Sequence, residues 1–272
     1  MRHYHIATSV VAVASVLVLS ASPAVSDQFD GFIVGGVPVK EISEVPWQVA
    51  LLQGKPVAPF QFCGGSIVAP QWILTAAHCV DNGLVHQDPA NVDVLAGTVL
   101  KTSGGVRVDS TAIFIHPKWG QTAQEMDFDA ALIKLKEPLT VGQPIALATA
   151  ATELPVDFKI RVSGWGATSQ GGSSSNQLLR VDVPMVSNET CNAPTSYGGA
   201  ISENMICLGK AAGGQDSCQG DSGGPAARVG SPNELVGIVS WGWGCAQPDL
   251  YGVYTRVSSV KDWVDQTMTA NK

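Results

Sequence analysis

Eight short runs rich in β-branched and aromatic residues, set off by turn residues, limit what this chain can fold into more than any other feature. They are "WQVALL" (Trp47–Leu52), "GSIVAP" (Gly65–Pro70), "NVDVLAG" (Asn91–Gly97), "TAIFIHP" (Thr111–Pro117), "AALIKL" (Ala130–Leu135), "KIRVSGWG" (Lys159–Gly166), "LVGIVSWG" (Leu235–Gly242) and "GVYTRV" (Gly252–Val257). Runs of this kind with frequent glycine and proline punctuation argue an all-β chain built as barrels. The last stretch, "SSVKDWVDQTMTA", breaks the pattern. Ser258 and Ser259 are candidate caps, and Val260, Trp263 and Val264 recur at helical spacing, so a C-terminal helix is expected. "TSQGGSSSN" (Thr168–Asn176) offers no packing residues and is expected to be a mobile surface loop. The Pro- and Ala-rich connection at 139–155 is the natural boundary between two β halves.

The chain has 272 residues, is 45% hydrophobic and 14% charged, and carries a formal net charge of -7. This is a globular composition, and an acidic one gives no electrostatic footprint for nucleic acid. The first 26 residues have a basic start (Arg2, His3, His5), an apolar stretch from Ile6 to Leu19, and small residues permitting cleavage after Ala24 or Ser26. That is an export signal. A membrane anchor is the alternative, but the apolar run is short for a span and ends in small residues and a proline. Export gives the six cysteines meaning, because disulfides persist outside the reducing cytosol. Cys63, Cys79, Cys191, Cys207, Cys218 and Cys245 allow fifteen pairings, among which spacing alone does not choose. No CxxC spacing occurs, so no zinc cluster is expected.

The stretch "GGQDSCQGDSGGP" (Gly213–Pro225) crowds carboxylates, hydroxyls and bare backbone together. A serine hydroxyl is a poor nucleophile unless a base sits beside it and a third group holds the base. Three separated segments supply candidates: His78 in "LTAAHCV", Asp129 in "MDFDAALIKL" and Ser222 in "GDSGGP". Each alone has a plainer reading, as a core histidine, a capping acid or a turn. Together, with "IVGG" at Ile33, "SWG" and "GVYTRV" in the same order, the chain resembles the trypsin-like, chymotrypsin-fold serine endopeptidases from Ile33 to the final helix.

The resemblance implies two six-stranded antiparallel β-barrels with a C-terminal α-helix, and a peptidase domain spanning 33–272 after a signal (1–26) and a short propeptide (27–32). It implies His78 as general base and then acid, Asp129 rather than Asp127 as its orienting acid, and Ser222 as nucleophile. The N–H groups of Gly220 and Ser222 form the oxyanion hole. Asp216, six residues before Ser222, becomes the base of the primary specificity pocket, with Ser217 beside it and Gly242 and Gly252 leaving room for a long side chain. A carboxylate there favours substrate Arg or Lys. The backbone of Ser240, Trp241 and Gly242 pairs with extended substrate as an added strand. Cleavage at Phe32-Ile33 frees an ammonium that pairs with Asp221 and orders the site. The disulfides pair as Cys63–Cys79, Cys191–Cys207 and Cys218–Cys245, a lean set that points to a bacterial or invertebrate source.

Some positions depart from the family pattern. Phe32 replaces the usual Arg or Lys before the activation cut, so another protease is the expected activator. Residues 95–108, "LAGTVLKTSGGVRV", hold no acid, so calcium is not expected. Tyr251 stands where relatives with Tyr show a sodium effect. The sequon Asn188-Glu189-Thr190 matters only in a glycosylating host. The expected activity is a secreted, monomeric, cofactor-free endopeptidase acting on protein substrates after Arg or Lys. Proteinaceous inhibitors are its expected partners, with no nucleic acid and no membrane. The rival is a catalytically silent homologue that binds a partner through the same fold, but His78, Asp129 and Ser222 are all present.

Overall fold

A computed structural model describes Met1 and residues 33–53, 60–81 and 86–272. Apart from Met1, the segments expected as export leader and propeptide (1–32, Phe32 included) lie outside the described residues. In chain order the strands are β1 (Val37–Pro38), β2 (Gln48–Gln53), β3 (Phe60–Ala69), β4 (Trp72–Thr75), β5 (Val92–Ala96), β6 (Val106–Ile115), β7 (Ala131–Leu135), β8 (Ala146–Leu147), β9 (Lys159–Gly164), β10 (Leu179–Val186), β11 (Met205–Leu208), β12 (Pro225–Arg228), β13 (Glu234–Trp241) and β14 (Gly252–Arg256). The helices are α1 (Asn188–Cys191) and α2 (Val257–Ala270).

Two closed barrels result. The first runs β2-β3-β4-β7-β6-β5. The second runs β9-β10-β11-β14-β13-β12 and closes by the pairing of β12 with β9, with β1 and β8 as short additions. Closure leaves no bare sheet edge, which short strands in an all-β chain must otherwise protect. Val49, Leu51, Ile73, Leu132 and Ile133 build the first core. Ile160, Val162, Val181, Ile206 and Tyr254 build the second. Val257, Val260 and Val264 lay one stripe of α2 onto the first cluster.

The helix differs from expectation at its start. It begins at Val257, and Arg256 at the capping position makes no side-chain cap, so Ser258 and Ser259 lie inside the first turn. The reason is covalent: β14 runs straight into α2, leaving no linking residue to cap it. The stretch Thr168–Asn176 is an exposed turn tied down at several points. Ala167 bridges to Ser174, Ser175 N donates to Trp165 O at 3.1 Å, and Lys101 Nζ donates to Ser174 Oγ at 2.7 Å.

Candidate active site

His78 and Asp129 meet because β4 and β7 are antiparallel neighbours, pairing Thr75 with Ala131. His78 follows the end of β4 on a 3-10 turn (Ala77–Cys79), and Asp129 precedes the start of β7. Segments far apart in sequence therefore end side by side. His78 Nδ1 lies 2.7 Å from Asp129 Oδ2, and His78 N donates to Oδ1 at 2.9 Å. A carboxylate at Nδ1 fixes the proton there and leaves Nε2 as the basic nitrogen. Burial lowers the imidazole pKa, but the charge and hydrogen bond of Asp129 outweigh it and hold His78 above its ordinary value.

Asp129 is fully buried, and two further groups hold it. Ser240 Oγ donates to Oδ2 at 2.5 Å, and Thr255 Oγ1 donates to the Asp129 carbonyl at 2.8 Å. The Ser240 contact has a backbone origin. The β13–β14 ladder pairs Val239 with Tyr254 and then Trp241 with Val253, so Ser240 is the extra residue of a bulge. Ser240 was expected only as a backbone partner for substrate, and its side chain has this second engagement. Asp127 points elsewhere, accepting from Ser202 Oγ at 2.7 Å and Asn204 Nδ2 at 3.2 Å.

Ser222 sits in a glycine-rich turn before β12, where the two barrels approach closely. Gly64 N donates to Ser222 O at 2.7 Å, and a Cβ on Gly64 would lie 3.0 Å from Gly224 Cα. Gly220 has φ of 92°, a conformation glycine adopts freely. Its carbonyl accepts from Gln61 Nε2 at 2.7 Å, an anchor sequence reading missed because Gln61 lies in the other barrel with no motif around it. Among the described residues, the N–H groups of Gly220 and Ser222 have no hydrogen-bond partner. Two such donors on one tight turn are what an oxyanion requires.

A single pocket is lined by Ser222, Asp216, Ser217, Ser240, Trp241, Gly242 and Gly252 together with the Cys218–Cys245 bridge. Asp216 is 5% exposed, and Ala246 N donates to its Oδ2 at 3.0 Å. Burial pushes its carboxyl up to about 7, against hydrogen bonds from Ala246 and Ser217 that pull it down. Gly252 is required locally, since a Cβ there would stand 2.5 Å from Asp216 Oδ1. Tyr254 was not foreseen behind the pocket, where its fully buried hydroxyl lies 3.1 Å from Ser217 Oγ. Its signal was the inward alternation of "GVYTRV" two residues after Gly252.

Asp221 turns away from the cleft into a fully buried cradle. Gly166 N donates to Oδ1 at 2.8 Å and Cys218 N to Oδ2 at 3.0 Å. Burial raises this carboxyl to about 6 despite those two bonds and the charge of Lys101. Ile33 is also fully buried, and Asp216 N donates to Val34 O at 3.1 Å, which ties the segment after Ile33 to Asp216. The cysteines join as Cys63–Cys79, Cys191–Cys207 and Cys218–Cys245. Both sulfurs near His78 are thereby consumed, so the grouping of Cys63, His78 and Cys79 offers no thiolate to a metal. The Tyr251 carbonyl accepts from the Tyr197 hydroxyl at 2.5 Å. The Asn188 amide donates to Ser202 O at 2.9 Å and Met205 O at 3.1 Å, so a sugar there would break internal bonds.

Two closed six-stranded barrels carrying a histidine–carboxylate pair and a serine turn are the architecture of the chymotrypsin-fold hydrolases. A sequence profile described as Trypsin matches residues 33–264. Anionic trypsin of Canis lupus familiaris is 40% identical over 262 residues, covering 93% of this chain and 96% of its own. Anionic trypsin of Bos taurus is 41% identical over the same shares, and trypsin 5G1 of Aedes aegypti is 40% identical over 240 residues, 87% of this chain and 85% of its own. The chain belongs to the trypsin family and is a serine endopeptidase. Proteases of this family generally work without a cofactor, and the three disulfides fit an extracellular protein.

Proposed function

We propose that this is a secreted endopeptidase, made as a zymogen, that cleaves protein chains after Arg or Lys. The observation that carries the reading is one pocket lined by both Ser222 and the buried Asp216. A carboxylate kept from water without a counter-cation is costly, and a guanidinium or ammonium entering the pocket relieves that cost.

In this mechanism Ser222 Oγ attacks the carbonyl carbon of the scissile bond while its proton passes to His78 Nε2. Asp129 stabilises the imidazolium through the 2.7 Å contact at Nδ1, and Ser240 and Thr255 keep Asp129 still. The N–H groups of Gly220 and Ser222 receive the oxyanion, where one donor is worth on the order of a hundredfold in rate. His78 then protonates the leaving amine, and water repeats the sequence on the acyl-enzyme. A titration of the His78 ring by proton NMR should give a midpoint above the ordinary 6.5. A midpoint at or below that value contradicts the role of Asp129.

Activation follows from the burial of Asp221. Cutting before Ile33 would supply an ammonium to a carboxylate whose donors, among the described residues, are the backbone N–H groups of Gly166 and Cys218. Pairing raises the pKa of that ammonium above the ordinary α-amino range of about 7.7–8.0. The ordered state is then present at neutral pH and is lost as pH rises through the raised value. Activity of the cut enzyme should fall reversibly at alkaline pH, and a blocked α-amino group should abolish it at every pH.

The reading is tested with a fluorophosphonate that reacts only with an activated serine. Protein beginning at Ile33 should take up one adduct, on the Ser222 peptide, and His78→Ala and Ser222→Ala should take up none. Absence of the adduct in the folded parent would favour the catalytically silent homologue.

A further inference from the structure

Between Asp127 and Asp129 stands Phe128 with φ of 53°, a left-handed backbone that bulky side chains seldom adopt. A conformation of this kind persists only where its surroundings over-determine it, and such outliers gather at functional sites. We propose that Phe128 is a positioning residue, held left-handed by its neighbours so that Asp129 is aimed at His78. The inference rests on the assignment of Asp129 to the catalytic triad given above.

Three sets of contacts hold the kink. On its N-terminal side, Asp127 is 4% exposed and both its oxygens are engaged by the second barrel, through Ser202 Oγ at 2.7 Å and Asn204 Nδ2 at 3.2 Å. On its C-terminal side, Ala130 N donates to Phe128 O at 2.8 Å, closing a tight turn centred on Asp129. The ring itself lies in a ladder. Phe128 stacks on His116 with centroids 4.8 Å apart and planes 7° apart. Trp263 of α2 meets the other partner, His116, edge-on at 4.9 Å, and Lys118 Nζ stands 4.7 Å from the Phe128 centroid.

The geometry explains why so much is spent on one residue. With Asp127 anchored to one barrel and β7 continuing in the other, the Phe128 backbone is the hinge left to set the direction of Asp129. An extended or right-handed Phe128 would swing the carboxylate off the two bonds it makes to His78. The ladder also connects α2 to the acid, so the C-terminal helix supports the site from behind.

The test compares Phe128→Ala with Phe128→Asn in protein beginning at Ile33, normalised to active sites by a covalent serine reagent. Asparagine accepts the left-handed backbone far better than alanine, and neither keeps the ring. Alanine should lower kcat on an Arg peptide about tenfold with KM within about twofold, and asparagine should recover most of that loss. A role in packing alone predicts that the two variants fall alike, because both lose the ring, and that result overturns the inference. Ser202→Ala, an exchange at a half-buried position in the other barrel, provides an independent reading if either variant fails to fold. It should lower kcat about threefold at unchanged KM, and an unchanged kcat would contradict the anchor. The parent enzyme against Asp129→Asn tests the assignment of Asp129 itself, so a parent that loses activity on that exchange, with a flat Phe128 series, overturns only the role of Phe128.

Discussion

Ser222→Ala should lower kcat on a matched Arg peptide by about a millionfold, the effect found when serine proteases lose their nucleophile. At about 1.4 kcal/mol per factor of ten, that is roughly 8 kcal/mol of transition-state stabilisation. The fold should survive, because the methyl of alanine occupies space already used by the serine, and the Gly64 N to Ser222 O bond involves only backbone. Residual turnover of ~10³-fold over water is expected from the oxyanion donors and substrate binding alone. A much smaller loss, with the three disulfides intact, would mean that another group supplies the nucleophile.

The second large effect concerns Asp216. Asp216→Asn keeps the shape and the oxygen that accepts from Ala246 N at 3.0 Å, and removes the charge. Truncating one partner of a buried charge pair costs about 2–5 kcal/mol, so kcat/KM for the Arg peptide should fall by roughly 30- to 5,000-fold. A Phe peptide should change little. The pH dependence gives a sharper form. Burial raises the Asp216 carboxyl to about 7, and a cation binds only the ionised form. In Ser222→Ala protein, affinity for an aryl amidine should therefore weaken about tenfold per pH unit as pH falls below about 7. Asp216→Asn should lack that step. Equal pH dependence in both would place the titrating group elsewhere.

The local motifs were legible in sequence because each carries its chemistry in adjacent residues. "TAAHC" and "GDSGGP" name His78 and Ser222 directly, and the run after Asp129 marks that acid over Asp127. What could not be read there is what distant strands bring together. The hydroxyl of Ser240 reaches Asp129 only because a bulge leaves it unpaired in the ladder. Gln61 holds the Gly220 carbonyl across 159 residues of sequence, and Phe128 stacks on His116, which Trp263 of α2 meets edge-on.

The strands followed the same rule. β4 "WILT", β11 "MICL" and β12 "PAAR" are four residues each, too short for alternation to stand out, and β10 "LRVDVPMV" carries Pro184 inside its run. Pro184 is tolerated there because it lies at the far end of the β9–β10 ladder, opposite Lys159. Closure of each barrel depends on these four strands as much as on the long ones. The count of twelve barrel strands therefore came from the resemblance to a known fold and not from periodicity.

Protein beginning at Ile33, assayed with matched chromogenic peptides ending in Arg, Lys, Phe or Ala, tests the central claim most directly. The account predicts turnover confined to the Arg and Lys peptides and absent in Ser222→Ala. Preference for the Phe or Ala peptide would contradict the role of Asp216 while leaving the triad standing, and no turnover from the folded Ile33 form would contradict the account as a whole.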